Sequence, residues 1–345
     1  MLNEYSKLTN QRILVTGGAG FIGSNLVEYL LNENQVICLD NLSTGFYKNI
    51  QEFVKNPKFI FIEGDICDLA TCRKAVNGCD FVFHEAALGS VPRSISEPIK
   101  TNASNIDGFL NMLVAARDEK VKRFIYAASS STYGDSKVLP KVEHQIGRPL
   151  SPYAITKYVN ELYANVFTQL YGLESIGLRY FNVFGKRQSP EGAYAAVIPL
   201  WVKILLNHKQ PVINGDGTYS RDFTYIDNVI QANELAAITS WQTILERSQM
   251  YRTELQLENA PDQIFNIAFG GNTTLTSLFM ALRDNLAKFD PVVSQIEPIY
   301  GPAREGDIPH SLASVKKASL ILKYQPEIDA RKGFELISGW YFENA

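Results

Sequence analysis

Residues 15–26 read "VTGGAGFIGSNL", an apolar run that turns through spaced glycines into a helix-like segment. Gly17, Gly20 and Gly23 have GxxGxxG spacing, which permits a tight turn, close approach of the backbone to a diphosphate, and close packing of a helix on a strand. The amino terminus of the helix that follows adds positive potential for phosphate groups. We therefore expect the first strand–turn–helix unit of a dinucleotide-binding sheet.

Apolar runs and segments of helical period alternate on both sides of this turn. The runs are nearly continuously apolar, as strands covered on both faces are. They lie at residues 12–17, 35–40, 58–65, 80–87, 123–130 and 175–185. Segments of helical period lie at 20–31, 105–119 and 152–172. This alternation predicts an α/β fold with a doubly wound parallel (Rossmann) sheet.

The chain changes character after residue 186. Residues 1–186 are predicted to form the dinucleotide-binding domain. Residues 187–345 are interrupted by proline and glycine, and they predict a smaller mixed substrate-binding lobe with some segments returning to the sheet. Within this part, 240–262 is amphipathic and predicts an extra surface helix that ends at a proline.

Composition narrows the function classes. With 345 residues, 46% hydrophobic, the chain can bury one large core or two smaller ones. A net charge of −3 gives no overall attraction for nucleic acid or an anionic membrane. The polar start and the lack of a long apolar run predict a cytoplasmic protein that acts on a small molecule. The four histidines are isolated in sequence, and the four cysteines have no zinc or disulfide spacing, so no metal site is predicted.

Two acidic residues end predicted strands beyond the glycine turn. Asp40 ends the second run, where a carboxylate can bind the ribose diol of the adenosine and repel a 2′-phosphate. This favours NAD over NADP. Asp65 ends the third run and is placed to meet the adenine amino group.

A tyrosine and a lysine stand four residues apart on a later helix. Ser151 caps that helix, and Tyr153 and Lys157 share one face. Free tyrosine has a pKa of about 10, which a nearby ammonium and an oxidised nicotinamide both lower. An ordinary amphipathic helix would explain this pair alone. However, the fifth run ends in the consecutive serines 129–131, which adds hydroxyl groups at the same edge of the sheet.

Together the glycine turn, the serines and the YxxxK pair resemble the extended short-chain dehydrogenase/reductase family. The resemblance implies tightly bound NAD, with Tyr153 as the base, Lys157 on the nicotinamide ribose and Ser129 on the reacting hydroxyl. It also implies further cofactor contacts at Phe21, Ile22, Asn41, Ser43, Thr44, Gly45, Ile66, Ala86, Tyr180 and Val183.

Motifs along the whole chain resemble one group within that family, the bacterial UDP-N-acetylglucosamine 4-epimerases. Examples are "HEAALGSVPRS" (84–94), "GAYAAVIP" (192–199) and "REGDIPHSL" (304–312). The resemblance implies a homodimer that interconverts UDP-N-acetylglucosamine and UDP-N-acetylgalactosamine through a 4-keto sugar, for surface polysaccharide synthesis. The UDP contacts it implies are Asn182, Ala196, Val197, Asn214, Arg221, Arg304 and Asp307. Further substrate contacts are Gly89, Ser90, Ser129, Ser130, Ser131, Tyr153, Trp201 and Ser311.

The choice of sugar rests on small residues. Gly89 and Ser311 stand where galactose-type 4-epimerases carry a lysine and a bulky tyrosine, which leaves room for a 2-acetamido group. A pocket-size change typically gives only about 1 to 3 kcal/mol of discrimination, so exclusion of UDP-glucose is not implied. A UDP-glucose, UDP-uronate or UDP-N-acetyl uronate 4-epimerase remains an alternative, and a uronate would need a cation such as Arg93 or Lys186.

Two other classes fit less well. A sugar-nucleotide 4,6-dehydratase needs an acid pair beside the serine stretch, where this chain has Ser130, Ser131 and Thr132. A non-catalytic NAD-sensing module would need the glycine turn and Asp40. It would have no reason to keep the tyrosine, the lysine and the serine together.

Overall fold

The computed structural model describes residues 7–190, 196–257, 263–303 and 308–344. Arg304 and Asp307, two of the implied UDP contacts, lie outside the described residues. So does Pro261, the proline predicted to end segment 240–262.

The described residues form thirteen strands and twelve α-helices. The strands are β1 Arg12–Thr16, β2 Gln35–Asp40, β3 Phe59–Glu63, β4 Phe81–His84, β5 Arg123–Ser129, β6 Ser175–Tyr180, β7 Val183–Phe184, β8 Val212–Asn214, β9 Ser220–Arg221, β10 Thr224–Tyr225, β11 Ile264–Ile267, β12 Thr273–Thr274 and β13 Ile299–Gly301. The helices are α1 Phe21–Leu30, α2 Leu69–Val76, α3 Val91–Ser96, α4 Pro98–Asn102, α5 Gly108–Glu119, α6 Pro152–Tyr171, α7 Val197–Leu206, α8 Ile226–Ile238, α9 Trp241–Leu255, α10 Leu275–Leu286, α11 Lys316–Leu322 and α12 Ala330–Asn344.

Seven parallel strands form the central sheet, in the order β11-β6-β5-β4-β1-β2-β3. Alternate residues of β1 face opposite sides, as the period of a strand requires. Ile13 and Val15 pack in the core that includes α1 and α8, while Leu14 packs in the core that includes α2, α5 and α6. Helices therefore cover both faces, which confirms the doubly wound α/β fold.

The seventh strand comes from the second half of the chain. β11 pairs with β6 in parallel, with Ile264 opposite Gly177. The remaining strands form three two-stranded sheets: β7 with β10, β8 with β13, and β9 with β12. All six of these short strands follow β6 in the chain.

The prediction of one continuous strand over 175–185 was wrong. β6 ends at Tyr180, and β7 pairs instead with β10. Asn182 lies between them with φ of 36°, a backbone conformation that most side chains avoid. This residue turns the chain out of the central sheet and into the smaller lobe.

The extra helix predicted in 240–262 is present as α9. The Ser240 hydroxyl caps it by accepting from the backbone N–H of Thr243 at 3.1 Å. Ile244 and Tyr251 are buried, and α9 packs beside α11. In the described ranges, no helix is long and apolar enough to cross a membrane.

A buried ion pair fixes α6 against the sheet. Arg179 on β6 donates to Glu161 on α6 through Nε to Oε1 (2.8 Å) and Nη2 to Oε2 (2.7 Å). Their side chains are only 2% and 5% exposed. Arg179 also donates to the Glu143 carbonyl at 3.1 Å, so the guanidinium is bonded on three sides. The pair sets the position of the helix that carries Tyr153 and Lys157.

Replacing Glu161 by glutamine (E161Q) is expected to lower the free energy of unfolding by about 3 kcal/mol, because it leaves the buried Arg179 charge uncompensated. Urea unfolding followed by circular dichroism measures this change. The matched control is E335Q, since Glu335 forms a solvent-exposed pair with Lys332 at 2.9 Å and its loss should change the free energy of unfolding far less. Equal losses in the two variants would contradict an anchoring role for the buried pair.

Candidate active site

A cleft of about 560 Å³ lies at the carboxyl ends of β1, β2, β4, β5 and β6. The strand order runs in opposite directions on either side of the β1–β4 pair, and ligands of such sheets bind at this switch point. The loop after β1, the loop after β4 and the first turns of α1 and α6 all line the cleft.

The glycine turn forms one wall of the cleft. Gly17 has φ of +66°, and a Cβ on it would lie 2.7 Å from the backbone nitrogen of Ala86. A Cβ on Gly23 would lie 2.1 Å from the carbonyl oxygen of Gly17. Neither position accepts a side chain, so the backbone of the turn is open to a ligand and α1 begins directly behind it.

Acidic groups occupy the end of the cleft beside β2. Asp40 is buried, and its carboxylate accepts from the backbone N–H groups of Ala19 (2.9 Å) and Leu42 (2.8 Å). Burial raises the pKa of this carboxyl, and the two backbone hydrogen bonds oppose that change. Asn41 donates to Asp65 at 2.8 Å, which ties the ends of β2 and β3 together. A carboxylate has further lone pairs for sugar hydroxyls.

The reacting groups predicted from the sequence lie together at the other end. Ser129 ends β5, while Tyr153 and Lys157 lie on the first two turns of α6, and all three line the cleft. The Ser129 hydroxyl lies beside Tyr153 and favours its ionised form, which lowers the pKa of the phenol. It also accepts from the backbone N–H (3.1 Å) and the hydroxyl (2.9 Å) of Ser131. Ser131, which the sequence analysis assigns to the sugar, therefore orients Ser129.

Burial shifts the pKa of both Tyr153 and Lys157. It raises the pKa of Tyr153, and the neighbouring Ser129 hydroxyl only partly opposes this. Burial lowers the pKa of Lys157 to about 8, against the opposing charges of Glu85 and Glu161. The lysine Nζ donates to the Ala127 carbonyl at 2.8 Å. The protein itself thus favours neutral tyrosine, because desolvation opposes the phenolate.

Glu85 is a cleft residue that the sequence analysis missed. It follows β4 directly, and its Oε1 accepts from the Tyr180 hydroxyl at 2.9 Å. Burial raises its pKa to about 7. The one sequence signal was its place at the end of an apolar run, beside the predicted site residue Ala86. Other lining residues that were missed are Leu39, Gly64, Ala87, Leu88, Ser104, Ala127, Ala128, Gln188 and Ser189.

The structure brings most of the predicted cofactor residues into this cleft. Those that line it are Gly17, Gly20, Phe21, Ile22, Gly23, Asp40, Asn41, Ser43, Thr44, Ile66, Ala86, Tyr153, Lys157, Tyr180 and Val183. Two others lie next to it: Asp65 through its bond with Asn41, and Gly45, where a Cβ would lie 3.0 Å from both carboxylate oxygens of Asp40.

The predicted substrate residues divide into two sets. Gly89, Ser129, Ser130, Tyr153, Asn182 and Ala196 line the cleft. Ser90, Ser131, Val197, Trp201, Asn214, Arg221 and Ser311 lie outside that lining, and their roles in binding remain predictions. Trp201, for example, is buried beside Phe279. Arg221 and Ser311 share one acceptor. Arg221 Nη1 (2.9 Å) and the backbone N–H of Ser311 (3.1 Å) both donate to the Ser220 carbonyl.

Comparisons with known proteins agree with this geometry. The model of the NAD dependent epimerase/dehydratase family matches residues 13–242. A putative UDP-glucose 4-epimerase of Methanocaldococcus jannaschii is 35% identical over 335 residues, which are 96% of this chain and 99% of the relative.

Two solved structures are similar over nearly their whole length. The UDP-N-acetylglucosamine 4-epimerase of Methanobrevibacter ruminantium, in complex with UDP-N-acetylmuramic acid, has a TM-score of 0.86 and 35% identity, covering 98% of this chain and 100% of that one. The UDP-glucuronic acid 4-epimerase of Bacillus cereus, with UDP-glucuronic acid and NAD, has a TM-score of 0.80 and 28% identity, covering 97% and 100%.

NAD is the cofactor of the matched family, and the described residues fit it. The side-chain-free turn at Gly17, Gly20 and Gly23 suits a pyrophosphate at the start of α1. The buried Asp40 carboxylate suits the adenosine ribose. Lys157 lines the cleft at the opposite end, where its ammonium can bind the hydroxyls of the second ribose.

Replacing Gly17 by alanine (G17A) is expected to remove most of the bound NAD, because the new Cβ would collide with the Ala86 backbone. The NAD released from denatured purified protein is measured against protein concentration. The matched control is G172A. Gly172 ends α6 with φ of +70°, but a Cβ there meets no atom within 4 Å, so only backbone strain of about 1 kcal/mol is added. A G17A protein with full NAD content would contradict the assignment of the turn.

Proposed function

The chain belongs to the NAD dependent epimerase/dehydratase family, and from this premise we propose that it is a UDP-sugar 4-epimerase acting on UDP-N-acetylglucosamine and UDP-N-acetylgalactosamine. The observation that carries the reaction type is the meeting of Ser129, Tyr153 and Lys157 in one cleft, beside hydroxyl side chains at positions 130–132. A dehydratase would use acids at that stretch to eliminate water. Hydroxyl groups leave the keto sugar to be reduced again.

The residues of the chain divide the proton chemistry between them. Bound NAD would supply the acceptance and return of a hydride at C4 of the sugar, and its charged ring would favour a phenolate at Tyr153. Tyr153 takes the proton of the 4-hydroxyl, while the Ser129 hydroxyl hydrogen-bonds to both groups. Lys157 stabilises the phenolate as an ammonium. After the keto sugar has turned about its diphosphate linkage, Tyr153 returns the proton on the opposite face.

The sugar is proposed from the size of two residues. Gly89 lines the cleft, and a Cβ there would meet no atom within 4 Å, so the wall is open at this point. Ser311 is the second small residue, at the predicted far side of the sugar. Relatives with similar sequence identity to this chain carry names that specify different sugars. They support 4-epimerisation and leave the sugar to be argued from these positions.

The uronate alternative would need a cation for the sugar carboxylate. Of the two cations considered for a sugar carboxylate, Lys186 pairs with Glu28 at 2.7 Å. Arg93 lies on α3, outside the residues that line the cleft. A neutral 2-acetamido sugar needs neither cation. Supply of the N-acetylated sugar for surface polysaccharide synthesis is part of the same proposal.

The test is to incubate the purified protein, without added NAD, with UDP-N-acetylglucosamine, UDP-glucose or UDP-glucuronate and to resolve the products by proton NMR. We expect UDP-N-acetylgalactosamine from the first substrate at the highest kcat/KM. Conversion of the uronate alone would overturn the choice of sugar. A 4-keto-6-deoxy product would overturn the reaction type.

The control for this assay is a variant that lacks the proposed base, Tyr153. Tyr153→Phe removes the hydroxyl that moves the proton, and general base catalysis typically contributes about 100-fold to 10,000-fold. We expect kcat to fall by about that much with a small change in KM. Tyr171→Phe, at the exposed end of the same helix, should keep normal turnover.

The homodimer is proposed from the exposed face of α6. Every residue of this helix is described, and its two charged residues, Lys157 and Glu161, are both buried. The exposed face carries apolar and aromatic side chains at helical spacing, and α3 and α4 pack beside α6 and extend that face. The exposed residues are Ile95, Ile99, Ile155, Leu162, Tyr163, Val166 and Leu170. A face of this kind can pair with its own copy about a two-fold axis.

Val166→Glu combined with Leu170→Glu is expected to give a monomer, since pairing would bury unpaired carboxylates. Sedimentation velocity of the wild type and the variant measures the change in mass. Met250→Glu is the matched control, because Met250 is 71% exposed on α9, away from this face. A wild type that sediments as a monomer would contradict the homodimer. A double variant that remains dimeric would contradict the α6 face as its interface.

A further inference from the structure

Glu85 is a carboxyl group in the cleft that the proposed reaction does not use. It leaves the end of β4 beside the glycine turn, where its backbone N–H donates to the Thr16 carbonyl at 3.2 Å. It lines the same cleft as Tyr153 and Lys157. Burial raises the pKa of this carboxyl, so holding it here as a charged group costs free energy and calls for a specific partner or use.

A chain of hydrogen bonds fixes how Glu85 is held. The buried Asn233 on α8 donates from Nδ2 to the Val229 carbonyl and to the Tyr180 hydroxyl, each at 2.9 Å. Because the Tyr180 oxygen accepts that bond, its own proton is free to be donated to Glu85 Oε1 at 2.9 Å. Residues of β6 and α8, together with the end of β4, therefore hold the Glu85 carboxyl in the cleft.

Two packed elements carry the titratable groups that interact with Glu85. Tyr180 on β6 donates a hydrogen bond to it, and Lys157 and Tyr153 on α6 interact with it electrostatically. The preceding residue, His84, is fully buried and neutral, since burial lowers its pKa to about 3.

The Glu85 charge acts on both members of the reacting pair. It favours the ammonium of Lys157 and disfavours the phenolate of Tyr153. Glu161 acts on Lys157 as well, but it is bonded to Arg179.

We propose that Glu85 is a positioning residue, oriented by Tyr180 and Asn233, whose carboxylate keeps Lys157 protonated and so sets the pH range in which the Tyr153–Lys157 pair can work. The catalytic use of that pair rests on the proposed 4-epimerase function, whereas the electrostatic coupling does not.

The sign of the effect follows from the two charges. Replacing Glu85 by glutamine keeps an acceptor for Tyr180 and removes the negative charge. Without that charge, Lys157 loses its proton at lower pH and Tyr153 also ionises at lower pH. Turnover needs phenolate at Tyr153 and ammonium at Lys157. Both limbs of the pH–rate profile should therefore move to lower pH. This shift is expected in the pH range above the ionisation of Glu85 in the wild type, where Glu85 carries its charge.

The experiment measures kcat against pH for the wild type, E85Q, E85D and E246Q holoenzymes. Glu246 lies exposed on α9, so E246Q makes the same chemical change far from the cleft. We expect both limbs of the E85Q profile to shift by roughly one pH unit toward acid. E85D retains the charge and should lie closer to the wild type. An E85Q profile with lower kcat but unshifted limbs would mean a structural role and would overturn the proposal.

A second readout needs no sugar substrate. The ultraviolet absorbance of phenolate is titrated for the wild type and E85Q, and the matching Y153F backgrounds are subtracted to isolate Tyr153. Ionisation of Tyr153 at lower pH in E85Q supports the proposal, and unchanged ionisation overturns it. If the wild type converts no UDP-sugar, the proposed function fails while this titration still tests Glu85. If the wild type is active and the titration does not move, only the role of Glu85 fails.

Discussion

The close contact between the backbones of Gly17 and Ala86 is the constraint on which the rest of the site depends. A Cβ on Gly17 would lie 2.7 Å from the Ala86 nitrogen, so the loops after β1 and β4 can meet only without a side chain between them. These strands flank the switch point of the sheet, and their contact forms the floor of the cleft. It also fixes where Glu85 leaves β4, beside Tyr180 and α6.

Burial then decides the chemistry of the groups around that floor. It raises the pKa of Tyr153, lowers that of Lys157 to about 8 and raises that of Glu85 to about 7. Each shift has the same largest cause, because burial among protein atoms penalises the charged form of each group. The charged states needed for proton transfer therefore depend on neighbours inside the cleft, and small changes in those neighbours have large effects on reactivity.

Two buried carboxylates hold the surrounding elements in place. Glu161 binds Arg179 and fixes α6 on the sheet. Asp222 accepts from the backbone N–H groups of Phe269, Gly270 and Gly271 in one loop and of Ala313 (3.1 Å) in another. Because Asp222 follows Arg221 directly, these bonds place the loops of the smaller lobe around a predicted diphosphate contact. Buried, hydrogen-bonded carboxylates thus fix both α6 on the sheet and the loops at 269–271 and 313.

The sequence by itself determined the alternating strands and helices, the glycine turn, the acid at Asp40 and the grouping of Ser129 with the Tyr153–Lys157 pair. These features depend on local periodicity and on the rule that parallel strands end at one edge. The tertiary structure alone decided the seventh strand β11, the break at Asn182 and the contact of Glu85 with Tyr180. Tyr180 and Glu85 are 95 residues apart, and no local pattern encodes a hydrogen bond between them. The same holds for the pKa of Tyr153, because desolvation is set by everything that packs around a group.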